Sequence, residues 1–153
     1  MKIKLISIGK EEEDFILEGI KNYEKRLKHY CSLENIHLKP PKENTTEKQK
    51  EAEAKLVLSK LKDDDVLILF DERGKEFTSE KFANFLQQKM NNGTKCLCFV
   101  IGGAYGFGEL LYKKTTLQIA LSQLTFPHQL AKLIFTEQLY RAFTILKNEK
   151  YHH

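Results

Sequence analysis

The chain has 153 residues, with 25 basic and 21 acidic side chains, 41% hydrophobic and 30% charged content. That length suits one domain, and the apolar fraction is too high for a disordered chain. The longest apolar run, the six residues from Cys96 to Ile101, is far below the roughly 20 that span a membrane. The opening Met1 to Lys10 lacks the apolar core of a signal peptide, so a cytoplasmic protein with no membrane partner is expected.

Taken in order, strands and helices alternate. Lys2 to Ile8 reads as a strand. From Asp14 to Tyr30, Ile16, Ile20, Tyr23, Leu27 and Tyr30 recur at helical spacing, an amphipathic pattern. Leu33 to Leu38 is a second strand, ended by Pro40-Pro41, and the polar segment Lys42 to Gln49 is expected to be a mobile loop. Glu47 to Leu61, rich in Ala, Lys, Glu and Leu, is a second helix. Val66 to Phe70 and Cys96 to Ile101 are apolar throughout, the mark of strands covered on both faces. Between them come a turn, Asp71-Glu72-Arg73-Gly74, and a helix from Thr78 or Ser79 to about Met90. A glycine-rich stretch, a short helix and a fifth strand near Leu117 to Leu121 follow. A last helix runs from about His128 to Leu146, with Pro127 placed to open it, and Asn148 to His153 form a tail. The fold class is α/β, a mostly parallel sheet with helices on both faces, in one domain.

Apolar residues occupy most of the circumference of the last helix, leaving chiefly the strip through Gln129, Lys132 and Thr136 for solvent. A helix of that kind needs cover on two sides, and a second copy of the chain is the favoured cover, in an isologous homodimer. Cys96 and Cys98 alternate with Leu97 and Phe99, so both thiols share one strand face as small buried hydrophobes. The net charge of +4 permits phosphate contact without demanding it. Only three basic residues are arginine, Arg26, Arg73 and Arg141, and each is a fair candidate for a forked carboxylate or phosphate contact.

Ligands of open α/β sheets bind outside the carboxyl ends of the strands. Three such ends carry unusual sequence: after Phe70, after Ile101 and after Leu121. Gly102-Gly103-x-x-Gly106-x-Gly108 offers close approach to main-chain N–H groups; it is equally compatible with a tight turn. Asp71-Glu72-Arg73-Gly74 reads as a surface turn or part of a site. Phe126-Pro127-His128, with Arg141 downstream and Tyr151-His152-His153 at the end, is a dense polar and aromatic set, although His128 alone fits a capping or packing role.

Together, Phe70-Asp71-Glu72-Arg73-Gly74-Lys75, Phe99-Val100-Ile101-Gly102-Gly103, Leu124-Thr125-Phe126-Pro127-His128-Gln129-Leu130, Glu137-Gln138-Leu139-Tyr140-Arg141-Ala142-Phe143 and the ending Tyr151-His152 resemble the RlmH family. These are SPOUT-class methyltransferases acting on N3 of a pseudouridine in 23S ribosomal RNA. The resemblance spans the chain. It implies a sheet with a deep trefoil knot in its carboxyl-terminal half, a homodimer, and the assembled ribosome as substrate. It also implies S-adenosyl-L-methionine held bent inside the knot, with Phe70, Gly102, Leu121, Ser122, Gln123, Leu124, Thr125 and Phe126 at the cofactor. Arg141, Tyr151 and His152 are then expected to hold the RNA near the methyl group, with His128 as a second candidate for proton transfer. No metal is expected, since the histidines lack a spaced carboxylate or thiolate partner. Two rival readings remain open. A non-catalytic nucleotide- or RNA-binding module would bind cofactor without transfer to RNA, and a flavodoxin-like oxidoreductase would carry a flavin.

Overall fold

A computed structural model describes residues 1–9 and 13–152. Its order is β1 (Lys2–Ile8), α1 (Asp14–Leu27), β2 (Ser32–Leu38), α2 (Thr46–Leu58), β3 (Val66–Glu76), α3 (Ser79–Asn91), β4 (Cys96–Ile101), α4 (Glu109–Lys114), β5 (Leu117–Ala120) and α5 (His128–Leu146). The five strands form one sheet in the order β2-β1-β4-β3-β5, and every neighbouring pair is parallel. Alternation within the strands explains the two covered faces. Ile3, Leu5, Ile68, Leu97 and Phe99 join residues of α1, α3 and α5 in one core. Ile6, Ile8, Leu67, Leu69 and Val100 join α2 and α4 in the other. The first core is strongly aromatic: Phe135 lies 4.7 Å from Phe99 and 5.0 Å from Phe70, ring centre to ring centre.

Four expectations are corrected. The Lys42 to Gln49 segment is not all loop: α2 starts at Thr46 because the Thr45 hydroxyl accepts the Lys48 N–H (3.3 Å), an N-cap. Gln49 turns inward, donating to Glu53 (2.7 Å) and accepting the Glu43 N–H (3.0 Å). β3 does not stop at Phe70. Both Phe70 and Lys75 pair with Ile119, so Asp71 to Gly74 bulge out of the ladder and the strand then resumes. β5 ends at Ala120, and Leu121 leaves the sheet.

The fourth concerns α5. Lys132 and Thr136, expected in solvent, are buried at 5% and 0% exposure, because α1 lies along that strip. Gly19 of α1 comes so close that a Cβ there would meet Leu133 Cδ1 at 2.9 Å. The Thr136 hydroxyl is satisfied by the Lys132 carbonyl at 2.7 Å. Thus α5 is covered within the chain itself by α1, α3 and the sheet, and its all-round apolarity is no longer a reason for a second copy.

Cys96 and Cys98 are buried and free, but their setting is polar as well as apolar. Their sulfurs are 3.7 Å apart, beside Asp65, whose carboxylate accepts from Lys4 Nζ at 2.7 Å. Lys4 also donates to the Lys60 carbonyl at 3.2 Å.

Candidate active site

Because β4, β3 and β5 are adjacent and parallel, their carboxyl ends converge. There the chain lines a half-open cavity of about 640 Å³, within the usual range for small-molecule sites. Its floor is apolar, with Phe70, Ile101, Ile119 and Ala131. One wall is the glycine turn, where the Gly106 N–H donates to the Gly103 carbonyl (3.1 Å) and Gly106 takes a φ of +75°, a left-handed conformation natural to glycine. Gly103 lies against Glu53, whose carboxylate oxygen would stand 2.6 Å from a Cβ at that position. The opposite wall is the segment between β5 and α5, pinned by the Leu124 N–H donating to Ser122 Oγ (2.9 Å). Pro127 precedes the first turn of α5, and its carbonyl accepts the Ala131 N–H (2.9 Å).

The bulge of β3 forms the third wall. Arg73 grips Asp71 with Nε and Nη2, each at 3.0 Å. The Arg73 backbone N–H donates to the same carboxylate at 2.9 Å, as does the Tyr112 hydroxyl. The Arg73 contact, outweighing burial, holds the Asp71 carboxyl down to about 2. Asp71 is therefore an anion that shapes the bulge and is no proton donor at neutral pH. Gly74 closes it: a Cβ there would stand 2.6 Å from the backbone of Gln118 and Ile119. Gly74→Ala should push β3 off β5, costing about 1–3 kcal/mol and weakening ligand binding in the cavity. Urea unfolding, and calorimetric titration with the cofactor the resemblance implies, measure the two effects; no change in either would show that the bulge can yield.

Of the residues expected at the cofactor, Phe70, Gly102, Leu121, Ser122, Leu124, Thr125 and Phe126 line this cavity, as does His128; Gln123 does not. Lys50 of α2 and Tyr112 of α4 also line it, and the sequence reading missed both. Lys50 stands in a run of similar polar residues, so nothing local marks it. Tyr112 was legible only as an aromatic on a short helix.

Arg141, Tyr151 and His152 come together elsewhere. Glu137 Oε1 accepts from Arg141 Nη2 (2.7 Å), Arg141 Nε (3.0 Å) and the Tyr151 hydroxyl (3.1 Å). The guanidinium lies 4.8 Å from the Tyr151 ring centre. Arg141 Nη1 is 3.4 Å from His152 Nδ1, and His152 Nε2 is 2.7 Å from Glu80. Burial first, then the Tyr23 hydroxyl and Glu137, push the Tyr151 phenol up, so it is a hydrogen-bond donor at neutral pH. Glu137 holds Arg141 firmly cationic. His128 and Arg141 are thirteen residues apart on one helix, about 20 Å at the α-helical rise. The chain therefore carries the cavity and this cluster as two separate places. His153, also expected in the tail, lies outside the described residues.

Among the described residues, one group has three potential metal ligands within 4.8 Å of one another: Asp65, Cys96 and Cys98. It sits at the amino-terminal end of β4, away from the cavity, and Lys4 already balances its carboxylate. No helix among the described residues is long and apolar enough to cross a membrane.

Comparison with known proteins agrees with this geometry. Residues 1–152 match the family model described as a predicted SPOUT methyltransferase. A ribosomal RNA large subunit methyltransferase H from Flavobacterium psychrophilum is 53% identical, aligned over 100% of this chain and 99% of its own. Proteins of that name from Christiangramia forsetii and Cytophaga hutchinsonii are 49% and 46% identical, with this chain covered fully and theirs over 99% and 100%. With an all-parallel sheet, a cavity at three strand ends and full-length similarity of this degree, the chain belongs to the SPOUT methyltransferases, in the ribosomal RNA large subunit methyltransferase H family.

Proposed function

We propose that the protein transfers a methyl group from S-adenosyl-L-methionine to N3 of a pseudouridine in 23S ribosomal RNA. It acts on the assembled ribosome, in the cytoplasm, as a homodimer and without a metal. The observation that carries this reading is the cavity itself: its lining holds seven of the eight residues assigned to the cofactor by resemblance. The apolar floor suits a heterocycle. The main-chain groups of Gly102 to Gly106 and of Leu121 to Thr125 can read its edges without a specialised side chain. The deep trefoil knot belongs to the same proposal.

Bound there, the cofactor supplies a sulfonium methyl group open to in-line displacement. The chain's own residues must then fix the acceptor nitrogen and stabilise the negative charge that grows as N3 loses its proton. Arg141, held cationic by Glu137, supplies a charge that does not titrate. Tyr151, donating to Glu137 at 3.1 Å, braces the carboxylate that positions Arg141. His128, at the cavity, is the candidate to take the proton, while His152, with its ring nitrogens on Arg141 and Glu80, helps hold the RNA.

A dimer unites the two places. Phe15, Leu124 and Leu130 are large apolar residues with 66%, 73% and 36% of their surface exposed, and the Glu13 N–H on Gln129 (3.1 Å) joins the start of α1 to the start of α5. A two-fold axis perpendicular to α5 near its middle runs the two helices antiparallel and brings the Arg141 end of one subunit to the His128 end of the other.

The test is to incubate the protein with labelled S-adenosyl-L-methionine and ribosomes lacking the modification, then to locate the label by nuclease digestion and mass spectrometry. Label at one pseudouridine of 23S RNA is expected. No label in large-subunit RNA overturns the reading. Full rates from both His128→Ala and a chain ending at Lys150 would overturn the residue roles alone.

A further inference from the structure

The three arginines are used differently. Arg73 and Arg141 each spend their fork on a carboxylate, Asp71 and Glu137. Arg26 has no such partner among the described residues. Its guanidinium instead lies over two rings, 5.8 Å from the centre of Tyr23 and 5.6 Å from that of Tyr140. It is exposed, so its outward edge can take up a ligand.

Arg26 also lines a recess of about 340 Å³ with Asn22, Lys25, His29, Tyr30 and Tyr140. Positions 22, 25, 26 and 29 follow the i, i+3, i+4, i+7 spacing that puts four side chains on one face of a helical segment. All four can donate hydrogen bonds, two are permanent cations, and no carboxylate stands in the lining. Nearby Glu149 is engaged by the Tyr30 hydroxyl at 2.6 Å. The recess is continuous with the Arg141 cluster through Tyr151, whose ring centre is 4.8 Å from that of Tyr140 and whose hydroxyl is 3.3 Å from that of Tyr23.

We propose that this recess is a subsite for the RNA backbone beside the target nucleotide. A phosphate sits on the free fork of Arg26, flanked by Lys25 and His29. Planar guanidinium on phosphate is a two-pronged, charge-assisted contact. The chain's net charge is only +4, so a local concentration of donors next to the cluster does more for RNA than the overall charge can. This inference rests on the proposed activity toward ribosomal RNA.

Two measurements test it: retention of ribosomes by the protein across a salt series, and methylation kinetics with ribosomes as the varied substrate. Arg26→Ala should weaken ribosome binding and raise the KM for ribosomes about ten-fold, with a smaller change in kcat. It should also lower the slope of log affinity against log salt by about one phosphate contact. Arg26→Lys should keep the slope but regain only part of the affinity. Lys25→Ala, at an exposed position, should lower the slope even if Arg26→Ala disturbs the fold. Calorimetric affinity for S-adenosyl-L-methionine should stay at the wild-type value in all three. Unchanged salt slopes and KM in folded Arg26→Ala and Lys25→Ala overturn the subsite. A wild-type protein that labels no RNA overturns the activity instead, and the binding series still decides the subsite.

Discussion

Asp65→Ala should lower the unfolding free energy by about 3–5 kcal/mol, the usual cost of orphaning one member of a buried ion pair. The side chains of Lys4 and Asp65 are 8% and 3% exposed, and their charged atoms are 2.7 Å apart. Removing the carboxylate strands a lysine on a central strand, with only the Lys60 carbonyl left to it. It also deprives the Lys62 N–H of its acceptor at 3.0 Å. Burial by itself raises the Asp65 carboxyl. The hydrogen bonds from Lys4, the Lys62 N–H and the thiols of Cys98 and Cys96 outweigh it and hold the group at about 2. A folded value below the unfolded one, about 3.9, means that the stabilisation is complete above pH 5 or so and is lost as pH falls toward 2. The variant's stability should therefore fall less steeply than the wild type's over that acid range. Urea unfolding at neutral pH, repeated down the acid range, measures both effects. A loss under about 1 kcal/mol would place the pair among solvated ones. The joint replacement Lys4→Met with Asp65→Leu should regain most of the loss, since apolar residues of similar volume serve such sites as well as ions do.

That cluster marks where sequence reading stops. Cys96 and Cys98 could be put on one strand face by period alone, but Lys4 and Asp65 meet them only after β1 is laid beside β4, with Lys4 opposite Cys98. The architecture was legible because the two-sided burial of β3 and β4 is written as unbroken apolar runs. The three strand ends were legible for the same reason, since glycines, a proline and a histidine follow them. Other features depend on contacts between distant segments. Lys132 and Thr136 look like a solvent strip until α1 covers them. Asp71 to Gly74 reads as a turn until Lys75 returns to β5. The Thr45 cap was within reach of sequence rules, but its polar surroundings favoured a loop. The sequence reading grouped His128 with Arg141 beside the cofactor segment, although thirteen residues of continuous helix keep the two side chains apart within one chain.

Two inactive variants should restore each other. Ser122→Trp fills the cavity from its wall and should abolish cofactor binding while leaving α5 and the tail intact. Arg141→Ala removes the cation from the distant cluster and should keep the cavity, with methylation falling about 100-fold or more, as when one preorganised electrostatic contact is lost. If each reaction centre takes its cavity from one subunit and Arg141 from the other, a mixed dimer contains one intact centre. It has the cavity of the Arg141→Ala subunit and the cluster of the Ser122→Trp subunit. Random reassociation of equal amounts makes half the dimers mixed, so about a quarter of wild-type centres should return. If each centre lies within one subunit, mixing restores nothing, because every centre then carries one of the two lesions. Cofactor titration of the separate variants checks the premise, and methylation of ribosomes by the mixture decides between the arrangements. The apolar exposure of Phe15, Leu124 and Leu130 alone would support either. The distance of about 20 Å along α5 favours the shared one, since no rotamer of Arg141 spans it.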